Sequence, residues 1–89
     1  MATPPFTEFS KGDVRRYFVI LLAIHRLKDR ATSYRVAQEV ACGRADFQRA
    51  VAALTAQHGV EFEREGAHYK ITSWGVLQRK ALEQFLNTP

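Results

Sequence analysis

Apolar residues recur along this chain with two periods, and their alternation predicts five elements. From Val14 onward, Tyr17, Phe18, Leu21, Ile24 and His25 follow helical spacing, and Ile20, Leu22 and Leu27 widen the stripe. A helix this apolar needs cover on several sides and is expected as the central strut. Ser10 and Asp13 are placed to start it with a capping box. A second, short helix is expected to begin at a cap on Thr32 or Ser33 and to end near Val40 or Ala41, with Val36, Ala37 and Val40 inside. Cys42-Gly43 should break it, with the glycine supplying a positive φ. A third helix is expected from about Ala45 to Gln57. Phe47, Ala50, Val51 and Leu54 face its core side, Arg44, Gln48, Arg49, Ala52 and Thr55 face outward, and Gly59 ends it.

The period then changes from helical to alternating. Val60-Glu61-Phe62-Glu63 and His68-Tyr69-Lys70-Ile71 read as two strands around a Glu65-Gly66 turn, with Phe62 near Tyr69 on the covered face and Glu63, His68 and Lys70 outside. Thr72 is expected to cap a last helix with two apolar stripes. One runs through Trp74, Leu77, Ala81 and Phe85, the other through Val76, Leu82 and Leu86. Residues 1–9, with Pro4-Pro5, have no helical period and are expected as a flexible N-terminal arm, although Phe6 and Phe9 can tuck against the body. Residues 10–89 then form a single domain. The fold class is mainly α with a small antiparallel β-ribbon, in the order helix-helix-helix-ribbon-helix.

Eighty-nine residues, 46% of them hydrophobic and 25% charged, suit one modest core. The net charge of +4 favours an anionic partner. Its distribution changes that meaning. Lys11, Arg15, Arg16, Arg26, Lys28 and Arg30 against Asp13 and Asp29 account for the whole excess, while the ribbon is slightly acidic. The single cysteine, Cys42, excludes an internal disulfide and suits a reducing cytoplasm, where it reads first as a small buried apolar residue. The apolar run Tyr17–Ile24 is far shorter than the roughly 20 residues needed to cross a bilayer. Arg15-Arg16 before it has the look of an export signal, but His25, Arg26, Lys28 and Arg30 follow without a small-residue cleavage site. No membrane association is expected.

The chemistry concentrates around the second and third helices. Two short helices joined by a tight turn allow the second to lie in a major groove while the first crosses the backbone. Arginine pairs bidentately with guanine and glutamine with adenine, so Arg44, Gln48 and Arg49 are candidate base readers. The bland alternative is an ordinary solvated face. Arg30, Thr32, Ser33, Tyr34 and Arg35 sit where free amides, hydroxyls and charge would hold phosphates; Thr32 or Ser33 would also serve as a simple cap. On the ribbon, Arg64 and Lys70 are candidate phosphate contacts among repelling glutamates. The three histidines lie on different elements, with no close Cys or carboxylate, so no metal is expected. There is no glycine-rich phosphate loop, nucleophile elbow or paired-carboxylate cleft. Neither an enzyme, a cofactor nor a small-molecule ligand is therefore expected. The two apolar stripes of the last helix suggest a homodimer through that helix.

The segment Tyr69-x-Ile71-Thr72-x-x-Gly75, following two helices and a ribbon, resembles the strand-to-helix junction of bacterial winged helix-turn-helix domains, such as those of MarR- and PadR-type transcriptional regulators. The resemblance spans about Val14 to Leu86. It implies sequence-specific duplex DNA binding, with the third helix as recognition helix and Gln48 and Arg49 as its foremost base readers. The acidic ribbon departs from a basic wing, and the chain lacks the extra helices that build an effector pocket in MarR-type proteins. The other use of such a fold is as a protein-protein interaction module, which the acidic ribbon and the apolar last helix would suit.

Overall fold

A computed structural model describes residues 6–86. Residues 1–5 of the expected arm and the last three of the expected domain lie outside the described residues. The described residues fold into four α-helices and one hairpin: α1 (Arg15–Leu27), α2 (Ser33–Val40), α3 (Arg44–His58), β1 (Glu61–Glu65), β2 (His68–Ser73) and α4 (Arg79–Leu86). It is thus mainly helical with a small two-stranded antiparallel sheet.

α1 is the strut that its composition predicts. Phe18, Val19, Ile20, Leu21, Leu22, Ala23, Ile24 and Leu27 are all buried, because α2, α3, α4 and β2 pack around it. Eight buried side chains on thirteen residues leave almost no free face, so this helix holds the domain together and presents little to a partner. Its start differs from the expected capping box. Val14 is the N-cap without a side-chain bond, because the Asp13 carboxylate is taken by Arg15, whose backbone amide and guanidinium both donate to it. That pairing holds the Asp13 carboxyl below its usual range.

The expected flexible arm is docked where it is described. Phe6–Glu8 form a 3-10 turn, and Phe6 and Phe9 are buried. Two arginines fasten it. Arg16 donates to the Phe9 carbonyl at 2.8 Å and stacks on Phe6. Arg15 lies 4.6 Å from the Phe9 ring and 5.8 Å from the Phe85 ring of α4, between the two.

α2 and α3 are joined by Ala41-Cys42-Gly43. The left-handed residue here is Ala41 (φ 60°), not Gly43, which is extended at φ −83°. The reason lies in the next helix. Gly43 is its N-cap, and its amide donates to the Asp46 carboxylate at 3.1 Å, an arrangement that requires extended backbone and leaves the reversal to Ala41. Gly59 ends α3 in the left-handed conformation, as expected.

The hairpin pairs Phe62 with Ile71, Glu63 with Lys70, Arg64 with Tyr69 and Glu65 with His68. Between Glu61 and Phe62 the register shifts, and Thr72 is the extra residue of a bulge. Its hydroxyl donates to the Glu61 carbonyl at 3.2 Å, so Thr72 closes the ribbon instead of capping a helix. The last helix starts only at Arg79. Before it, Ser73 accepts from the Gly75 amide, and Val76 donates to the His58 carbonyl at 3.0 Å. This turn is pressed onto the end of α3: a Cβ on Gly75, whose φ is +61°, would lie 2.1 Å from the His58 oxygen. The two expected stripes are therefore split. Leu82 and Leu86 are buried; Trp74 and Leu77 precede the helix and are half-buried; Val76 and Phe85 are exposed.

One pairing has no counterpart in the sequence reading. The Tyr69 amide donates to the Ala31 carbonyl at 2.8 Å, and Thr32 bridges to His68. The segment before α2 thus joins the ribbon as a rudimentary third strand.

Candidate nucleic-acid interface

The start of α2 is fixed from two sides. Thr32 is the N-cap; its hydroxyl accepts from the Arg35 amide at 3.0 Å, while its backbone is tied to the ribbon. Ser33 is half-buried, and Tyr34 stands 68% exposed beside exposed Arg35. Arg30 lies in the 3-10 turn Lys28–Arg30 that joins α1 to this point. Arg30 and Arg35 meet across a shallow concavity of about 390 Å³ that also holds the Arg26–Glu39 ion pair, 3.4 Å long. Two guanidiniums of the expected phosphate set are therefore brought together, next to the partly positive start of an eight-residue helix.

On α3, Phe47, Ala50 and Leu54 are buried, with Val51 packed against them. The same period carries Arg44, Gln48 and Arg49 to the solvent side. Arg44 and Gln48 have no side-chain hydrogen-bond partner among the described residues. Arg49 is 67% exposed and bridges to Asp46 at 3.3 Å. An exposed pair of this kind contributes about 0–1 kcal/mol, so a phosphate or a guanine edge can displace the carboxylate. Asp46 thus acts twice, capping α3 and holding Arg49 near its first turn.

The ribbon treats its two candidates differently. Tyr69 packs edge-on against Phe47 of α3 and Phe62 of β1. Arg64 shares that face; its Nε donates to the Gly66 carbonyl at 2.9 Å, and its guanidinium lies 5.4 Å from the Tyr69 ring. Lys70 belongs to the opposite face, opposite Glu63, where it borders a groove beside the end of α1. The expected phosphate contacts Arg64 and Lys70 are therefore not brought together.

Burial pushes the Cys42 thiol up to about 11, with Asp46 adding to the effect. At neutral pH it stays protonated and is a poor nucleophile. His25, expected at the core edge, is exposed and edge-on to Trp74 at 5.4 Å. Loss of hydration, then Arg79 and Lys28, hold its imidazole below the ordinary value. His58 packs on Phe18 with its Nε2 buried and unpartnered. No cluster of three metal-ligating side chains occurs among the described residues, and no helix is long and apolar enough to cross a membrane.

Comparisons with protein-family models, curated proteins and solved structures return no match for this chain.

Proposed function

We propose that this protein binds duplex DNA in a sequence-specific manner through a winged helix-turn-helix, acting as a small cytoplasmic transcriptional regulator without a cofactor. The observation that carries the proposal is the outward face of α3. Arg44, Gln48 and Arg49 stand there in solvent, and Arg30 and Arg35 line a second exposed cationic surface at the start of α2. In this reading α3 enters the major groove, and its three polar side chains meet base edges. Thr32, Ser33, Tyr34, Arg30 and Arg35 hold the flanking phosphates. The ribbon forms a short wing that contributes little, since its one arginine, Arg64, is folded back on Gly66. The extended contact of Ala31 and Thr32 with β2 supports the reading, because it sets the wing beside the α2 terminus.

The test is fluorescence anisotropy with mixed-sequence duplexes between about 50 and 200 mM salt. Affinity should fall by roughly 10³-fold across that range, as several phosphate contacts require. Absence of binding at the low-salt end overturns the proposal and turns attention to protein contacts. A second copy joined through α4 and the turn before it is part of the same proposal, favoured by Phe85 at 44% exposure on the helix and Val76 at 80% in that turn. Sedimentation as a monomer at concentrations where DNA binding saturates would remove the dimer alone.

A further inference from the structure

Opposite the face of the ribbon that packs on α3, the hairpin overhangs the last turn of α1. The Tyr69–Ala31 hydrogen bond sets it there. Between them runs a groove of about 720 Å³, within the range of small-molecule sites, roughly 300–1,000 Å³. Its two ends differ. At one end Ile24 and the indole of Trp74 form an apolar wall. Towards the ribbon tip the lining becomes charged.

The charges do not cancel. Asp29, Glu63 and Glu65 face Lys28 and Lys70, so with histidines neutral the groove is net acidic on a chain of net charge +4. Lys70 stands directly across from Glu63, and Lys28 is followed by Asp29. That leaves Glu65, which is opposite His68 at the tip. The imidazole of His25, against Trp74, is held towards its neutral form by desolvation and two nearby cations, so it adds no positive charge at the apolar end.

We propose that this groove binds an elongated organic amine, its aromatic or aliphatic body on Trp74 and Ile24 and its ammonium at Glu65. An aromatic wall at one end and an uncompensated carboxylate at the ribbon tip recognise a cation with an apolar tail. They disfavour the corresponding carboxylate. The site lies on the ribbon face turned away from α3, and the inference does not depend on DNA being a partner.

Trp74 is the only tryptophan in the chain, so its fluorescence reports on the groove directly. The experiment titrates the intact protein with 6-phenylhexylamine, 6-phenylhexanol and 6-phenylhexanoate. The amine should change Trp74 emission saturably, with a dissociation constant of about 1 mM or tighter. It should bind about tenfold better than the alcohol, and the carboxylate weakest of the three. Glu65→Gln should reduce the preference for amine over alcohol to about threefold or less. Glu61→Gln, on the same strand but outside the groove, should leave it intact, with both variants matching the parent by circular dichroism. No saturable response, equal binding of the carboxylate, or an amine preference unchanged in Glu65→Gln would each overturn the proposal.

Discussion

α3 and the ribbon sit side by side, share the Tyr69 contact with Phe47, and present opposite chemistry to solvent. The outward face of α3 holds Arg44, Gln48 and Arg49, two of them unpartnered and the third in a weak exposed pair. The ribbon holds Glu61, Glu63 and Glu65, and its Arg64 is bound to its own turn. Net charge does not distinguish these surfaces, because residues 11–30 account for the whole excess. What separates them is whether each cation is held by its own fold or left for a ligand. A polyanion should therefore settle on α3 and the start of α2, with the ribbon as an acidic border.

The strongest way to break this arrangement is at the seam between the two elements. Gly75→Ala would drive a Cβ into the His58 carbonyl from a left-handed backbone, at an expected cost of about 2–4 kcal/mol. Urea unfolding followed by Trp74 fluorescence measures it. Next in size, Arg49→Ala should weaken binding to a selected site by about 1–3 kcal/mol and relax preference at one base pair; equal loss on all duplexes would make Arg49 a phosphate contact instead. Arg64→Ala, measured by the same anisotropy assay, should cost about 0.5 kcal/mol or less, as suits a rim residue already engaged with Gly66. A larger loss there would make the ribbon a working wing. Glu61→Lys sharpens the contrast from the other side. If the border lies within reach of DNA, non-specific affinity rises and the salt slope steepens by about one. The smallest change is expected at the turn before α3. Ala41→Gly relieves a left-handed alanine and should alter stability by about 0.5–1 kcal/mol in the favourable direction, read as a shift in the urea midpoint.

Much of the helical architecture was legible because single residues decided it locally. The period of Phe47, Ala50 and Leu54, the Thr32 cap and the Gly59 terminator each depend on neighbours within a turn or two. Where the reading failed, a partner distant in sequence or a competing local bond intervened. Thr72 followed by spaced apolar residues imitates a capped helix, yet the α3 terminus claims the Gly75-Val76 backbone and delays the helix to Arg79. Gly43 resembles a left-handed terminator, but the Asp46 carboxylate needs it extended. Of the candidate site residues, Arg44, Gln48 and Arg49 stand together as their spacing implies, and Arg30 meets Arg35. Lys70 could not be assigned to a face relative to α1, because that depends on the Ala31–Tyr69 pairing. The groove shares this origin: it exists between elements, and no local pattern encodes it.

Arg15 between Phe9 and Phe85 closes the longest loop made by any side-chain contact described above. A contact at such sequence separation forms late and at high entropic cost. It is also thin, one guanidinium between two rings at the rim of a core that otherwise centres on α1. Arg15 ties the Phe6–Phe9 segment, also held by Arg16, to α4, also held by Leu82 and Leu86, so it couples the opening of the two ends of the described chain, and its loss would let them open independently. Amide hydrogen exchange should find their protection rising and falling in step, well below that of α1.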